Sequence, residues 1–194
     1  PDLDNDLDQV NDDVDKCSTL AEDRDGFQDD DGCPDPDNDE DGILDGADKC
    51  PTSAETINGD ADGDGCPEPN AVSLVRFEGP RPIVDKLVRF PAGSADISKD
   101  LEKQLVMMAQ LIRGRAPLEL VIIEAFGDRS GDSGEAAIAL ADKRATAVKA
   151  VFAAQGIPAD RITAATGDLA SKRPAGAPLI EVTVTRARIE DKRR

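Results

Sequence analysis

The chain has no histidine, no tryptophan and no tyrosine. Without histidine there is no His-dependent catalytic triad, and the commonest transition-metal ligand is missing. Aromatic residues make up 3% of the 194, and all five are phenylalanine. No run of 18 apolar residues exists, so no segment is expected to cross a membrane as a helix. The chain opens Pro1-Asp2-Leu3-Asp4, with neither a methionine nor an apolar leader. It is expected to be a fragment or processed product whose missing part carries any targeting signal or membrane anchor. No nucleophile–base arrangement is visible, so an enzyme is not expected, and neither is a nucleic-acid partner.

The net charge of −18 is unevenly spread. Residues 1–70 hold 25 Asp and Glu against 3 Lys and Arg, and residues 71–194 hold 16 against 20. A segment at −22 repels itself unless cations neutralise it. It also carries an internal repeat, since Asp35 to Cys50 repeats Asp2 to Cys17 at an offset of 33. Glu22 matches Glu55, Gly26 matches Gly59, and Cys33-Pro34 matches Cys66-Pro67. A fixed period means a repeated structural unit.

Within each unit the acids have calcium-loop spacing. With Asp37 as position 1, Asp39, Asp41, Asp45 and Asp48 follow at 3, 5, 9 and 12. Gly42 stands at 6, and the Ile43 carbonyl serves at 7. A hard cation collects oxygens from such a tightly turned loop. The first copy offers Asp4, Asp6, Asp8, Asp12 and Asp15, with Gln9 where glycine is expected, so its turn needs positive φ or a distorted path. Partial sets lie between the cysteines, Asp25, Asp29 and Asp31 in one copy and Asp60, Asp62 and Asp64 in the other. The four cysteines are spaced equally, which favours Cys17–Cys33 and Cys50–Cys66 and leaves Cys33–Cys50 open. Short Cys-x-x-Cys pairs suited to zinc are absent.

The run Asp37 to Pro51 and the run Asp25 to Pro34 resemble thrombospondin type 3 repeats. The resemblance covers residues 1 to about 68 and implies an irregular, calcium-cored, disulfide-linked rod with almost no hydrophobic core. Calcium chelation is expected to collapse residues 1–68 and spare the rest.

Composition changes abruptly after Pro69-Asn70, giving two units, 1–70 and 71–194. In the second, Val72 to Phe77 and Ile83 to Phe90 read as short strands. Ser98 caps a helix whose stripe is Leu101, Leu105, Met108 and Ile112, ended by Gly114 and Pro117. Leu118 to Ala125 is a nearly continuous apolar strand, as when both faces are covered. A helix follows from about Glu135 to Gln155 with Leu140, Ala141, Ala145, Val148, Val151 and Phe152 inward and Arg144 bordering that face. Arg161–Thr166 and Leu179–Arg186 complete an α/β sandwich, β-α-β-α-β-β, with the helices on one face of a mixed sheet.

Asp128 leaves the strand end, and Arg144 sits two to three turns into the next helix. Brought to one mouth, they form a site with one charge of each sign, suited to a zwitterion. A turn-capping Asp128 and a snorkelling Arg144 are the plainer alternative. Phe90-x-x-Gly93-Ser94-Ala95, Ile123 to Asp128 with Gly131, Leu140-Ala141-x-Lys143-Arg144-Ala145 and Gly156 to Ile162 resemble the OmpA-like peptidoglycan-binding domain over roughly residues 83–186. The resemblance implies that Asp128 holds the ammonium and Arg144 the carboxylate of diaminopimelate in the peptide stem. It departs at Gly127, at Ala136 or Ala137, and at Ala177-Pro178-Leu179. The expected function is a periplasmic tether, in a Gram-negative bacterium, between the outer membrane and peptidoglycan, with a calcium-stiffened spacer. The alternative is a calcium-dependent structural or adhesive protein that uses the fold as a scaffold.

Overall fold

The computed structural model describes residues 3–84, 89–114, 118–129 and 131–186. The other residues of the expected 83–90 strand, Pro117 and the tail beyond residue 186 lie outside that set. Residues 3–70 hold no helix or strand. They are a chain of turns closed by disulfides Cys17–Cys33 and Cys50–Cys66, with Cα–Cα distances of 5.0 and 5.1 Å. Leu3, Leu7, Val14, Leu20 and Leu44 are exposed, so apolar burial does not hold this unit together.

Strands β1 (Val75–Glu78) and β2 (Arg81–Val84) form an antiparallel hairpin. Helix α1 (Lys99–Arg113) follows, its Ser98 side chain accepting from the Leu101 amide at 3.3 Å. Asp100 and Glu102 in the first turn complement the helix dipole. Strand β3 (Leu118–Ala125) leads to helix α2 (Glu135–Ala154), which Gly156 stops at φ +90°. Strands β4 (Ile162–Thr166) and β5 (Ile180–Arg186) complete a mixed sheet in the order β4-β3-β5, with β3 parallel to β4 and antiparallel to β5.

The expected stripes meet in one core: Leu101, Leu105, Met108 and Ile112 of α1, Val148 and Phe152 of α2, Val121 and Ile123 of β3, Ile180, Val182 and Val184 of β5. Each such side chain removed from water is worth about 1.5–3 kcal/mol. The apolar run of β3 is not buried on both faces, however. Val121, Ile123 and Ala125 are fully buried, while Leu120, Ile122 and Glu124 are half-buried, the alternation of a sheet covered by helices on one side.

The acidic unit is seated on this core rather than strung out beside it. Ile57, 3% exposed, belongs to the core cluster, and its carbonyl accepts from the Leu74 amide at 2.8 Å. Arg113 donates to the Gly42 carbonyl at 2.6 Å and the buried Gln110 amide to the Asp62 carbonyl at 2.8 Å. The approach is backbone to backbone: a Cβ at Gly42 would lie 2.4 Å from the Gln110 carbonyl oxygen, and one at Gly114 only 2.0 Å from that of Glu40. Only glycine fits at either position.

Candidate functional site

The end of β3 is pinned from two sides: the Phe126 amide donates to the Leu179 carbonyl and the Gly167 amide to that of Ala125, both at 2.9 Å. Asp128 follows. Arg144, on α2, faces inward and is the largest fully buried side chain among the described residues. Its Nε donates to the Ser94 carbonyl at 2.9 Å and Nη1 to that of Phe126 at 2.8 Å. Its Nη2 donates to the Pro91 carbonyl at 3.3 Å and to Asp128 Oδ1 at 2.6 Å. The Phe90 ring lies 5.1 Å from the guanidinium carbon, within cation–π range. Four of its five N–H groups are thus committed.

Arg144 therefore lies inside the buried face of α2, not along its border, and snorkelling does not describe it. The carbonyls of Pro91, Ser94 and Phe126 replace water around its charge. The two charges do meet, but they close on each other instead of standing apart. Asp128 Oδ2 also accepts from the Gly93 amide at 2.6 Å. Burial alone would raise the Asp128 carboxyl, but Arg144 and the Gly93 amide outweigh it and hold it below the usual carboxylate range.

With its side chain 33% exposed, Asp128 opens into a cavity of about 220 Å³ that Arg89, Arg129, Ser171 and Arg173 also line. Arg89 donates to the Ala177 carbonyl at 3.3 Å. Arg173 lies over the Phe126 ring at 3.4 Å, donates to the Pro178 carbonyl at 2.6 Å and pairs with Glu181. Of the positions that depart from the OmpA-like pattern, Ala136 and Pro178 are exposed, while Gly127 and Leu179 face apolar neighbours. A Cβ at Gly127 would meet the Ala137 methyl at 3.3 Å, and Leu179 is buried. The three cavity arginines were missed in the sequence, because they lie 15 to 55 residues from Arg144 along the chain with no common spacing.

The acidic repeats fold alike. Asp4, Asp6 and Asp8 in one copy, and Asp37, Asp39 and Asp41 in the other, bring ligand oxygens within 4.8 Å of one another. The position-6 amide closes each turn onto position 1: Gln9 onto Asp4 at 3.1 Å and Gly42 onto Asp37 at 2.9 Å. Gln9 takes φ +78° and Gly42 +93°, the positive φ the spacing demands. Asp15 and Asp48, at position 12, keep a buried, unpartnered Oδ2. Asp15 feels Asp6 and Asp8, and Asp39 feels Asp48. Burial first, and like charges next, push the Asp37 carboxyl up to about 6. Clustered carboxylate oxygens without donors are what a hard cation would satisfy.

Of the remaining expected ligands, Asp45 also keeps a buried, unpartnered Oδ2. Asp12 and Asp45 accept from the Asn5 and Asn38 amides at 2.9 and 3.1 Å. The Ile43 amide donates to Asp41 at 2.7 Å. Asp31 pairs with Lys16 at 2.8 Å, and Asp64 with Lys49 at 3.0 Å. Asp25 accepts from the Asn38 side chain at 2.6 Å, and Asp29 from the Gly26 amide at 3.0 Å. Asp62 accepts from the Gly59 amide at 2.7 Å, while the Asp60 amide donates to Asn58 at 2.7 Å. Glu22 and Glu55 are buried, and each keeps an unpartnered Oε2. Neither was expected as a ligand, although their recurrence at the 33-residue offset was a visible signal.

No helix among the described residues is long and apolar enough to cross a membrane. A comparison with curated proteins finds no match. The OmpA family model matches residues 89–178. Among solved structures, the chain is similar to the OmpA-like domain of FopA1 from Francisella tularensis (16% identity, 60% of this chain and 83% of that one, TM-score 0.42). It is similar to the peptidoglycan-associated lipoprotein from Burkholderia pseudomallei (21%, 50% and 88%, 0.41). It is also similar to the periplasmic domain of Helicobacter pylori MotB (17%, 69% and 85%, 0.45). The OmpA family model thus matches the segment that carries Asp128 and Arg144, and the mixed sheet with its two helices is similar to those of OmpA-like domains.

Proposed function

We propose that this protein is a non-covalent tether between the cell wall and the outer membrane of a Gram-negative envelope, placed in the periplasm and acting by binding alone. The observation that carries this is Asp128, an ionised carboxylate held by Arg144 and Gly93 at the mouth of a cavity. In this proposal Asp128 takes the ammonium of the diaminopimelate in the peptidoglycan stem peptide. Arg144 fixes that carboxylate and meets the ligand's own carboxylate by giving up its longest bond, the one to Pro91. The OmpA family match over residues 89–178 supports the class of partner.

The thrombospondin type 3-like repeats are the spacer, and calcium supplies the order that apolar burial does not. The unpartnered oxygens of Asp6, Asp15, Asp39 and Asp48 are the support for this. The test is co-sedimentation of the full chain with purified peptidoglycan. Wild type is expected to pellet and Asp128→Asn, an isosteric change, to lose at least tenfold in retention. Equal pelleting of the two ends the assignment of this site.

A second account has an observation of its own. This chain has Gly127 and Ala136 or Ala137 where the OmpA-like pattern has polar side chains. If wild type does not pellet at all, the protein is the calcium-dependent structural or adhesive form of this fold.

A further inference from the structure

The cavity at Asp128 holds more positive charge than a zwitterion uses. Among the described residues Asp128 is the one carboxylate that lines it, against Arg89, Arg129 and Arg173. Arg144 already answers Asp128 at 2.6 Å. Arg173 is answered by Glu181, which does not line this cavity, and it is fixed over the Phe126 ring and on the Pro178 carbonyl. That leaves Arg89 and Arg129. Both are exposed, and no carboxylate among the described residues pairs with either. Arg89 donates to the Ala177 carbonyl at 3.3 Å, a single bond for a side chain with five N–H groups. Burial raises the Asp128 carboxyl, Arg144 and the Gly93 amide bring it down, and the charge of Arg89 adds to that pull. The guanidinium of Arg89 therefore acts on the place where the ligand is received.

The geometry points to an anion subsite in this cavity, formed by Arg89 and Arg129 beside the Asp128–Arg144 pair, which takes a further carboxylate of the same stem peptide. A zwitterion brings an ammonium for Asp128 and a carboxylate for Arg144 and adds no net charge, so on its own it leaves both guanidiniums unneutralised. A ligand with additional carboxylates neutralises them, and a guanidinium can grip a carboxylate through two parallel hydrogen bonds. The ligand selected is thus an acidic peptide that contains the zwitterionic residue, not that residue alone. Converting a carboxylate of such a peptide to its amide keeps the shape and removes the charge, and these two arginines distinguish the two forms. Neither arginine belongs to the residues that carry the OmpA-like resemblance, so the subsite is a property of this chain.

This subsite rests on the reading of Asp128 and Arg144 as the diaminopimelate site, and the experiment separates the two. Binding of soluble stem tripeptides that end in diaminopimelate is measured by titration calorimetry on the full, oxidised chain. One peptide has every carboxylate free, and two others carry either the glutamyl or the terminal carboxylate as the amide. Wild type is expected to bind the free peptide at least about fivefold more tightly than one of the amides. The Arg89→Gln/Arg129→Gln double variant is expected to lose that preference. Both arginines are exposed, so folding is expected to persist, and far-UV circular dichroism checks it. Lys143→Gln/Lys172→Gln removes the same charge from exposed residues that do not line the cavity, and it is expected to keep the preference. A smaller preference in wild type, one that survives in the arginine variant, or one that falls as far in the lysine variant overturns the subsite and leaves the Asp128 site standing. A wild type that binds none of the peptides overturns both.

Discussion

Arg144 is a fully buried charge whose four acceptors come from two loops and a strand end. Removing it strands the carbonyls of Pro91, Ser94 and Phe126 and leaves Asp128 without its counter-ion. Arg144→Ala is expected to cost about 3–5 kcal/mol in unfolding free energy, read from the shift in a urea unfolding midpoint. Arg144→Lys should recover only a small part, since an ammonium cannot span four acceptors in a plane. A loss below about 1 kcal/mol for the alanine variant would show that the burial is not structural. Hence Arg144 variants cannot report on binding alone, and since Asp128→Asn takes the counter-ion from Arg144, its retention on peptidoglycan is read beside its own urea midpoint. Both residues were legible in the sequence, as a carboxylate at a strand end and a guanidinium on the next helix. Their closure on each other was not, because two of the carbonyls that surround the guanidinium come from Pro91 and Ser94, some 50 positions away.

At the level of elements, the acidic loops were legible from spacing alone, down to the positive φ at Gln9. Their electrostatics yield a pH dependence. The Asp37 carboxyl is raised to about 6 and that of Glu55 to about 7, in both cases by burial first and then by like charges. With no cation present, the folded loops hold protons that the unfolded chain has released. Stability contributed by these groups is then greatest near pH 4 and falls as pH rises toward 7. Calcium requires the ionised carboxylates, so its presence should reverse the trend. Hydrogen exchange at the Gly42 and Glu55 amides, corrected for intrinsic rate, should show protection declining between pH 5 and 7.5 in chelator and holding in calcium. Protection that grows with pH in chelator contradicts this. The apolar run of β3 was misread as buried on both faces because its even positions, Leu120 and Ile122, are apolar yet only half covered.

For the whole molecule, composition divides the chain near residue 70, yet contacts cross that line. The second repeat is clasped to the C-terminal turn of α1 through Gly42, Gly114, Gln110 and Arg113. No local pattern announces such a clasp, since its partners are glycine backbone and two polar helix side chains outside the apolar stripe of α1. It alters what chelation should do. Excess EGTA is expected to release residues 3–34 first, and then to lower exchange protection at residues 110–113 while the β3–β5 ladder stays protected. Full protection of α1 after the repeats have opened would show that the clasp holds without the cation. The disulfides limit how far the released repeats can extend. Each bypasses a 16-residue span with a Cα–Cα step of 5.0 or 5.1 Å, where an extended chain covers about 3.4 Å per residue. Even a cation-free, stretched spacer is therefore held about 50 Å shorter per disulfide than its reduced counterpart. The greatest distance the chain can bridge is set by its oxidation state, and calcium decides only how readily that slack is released.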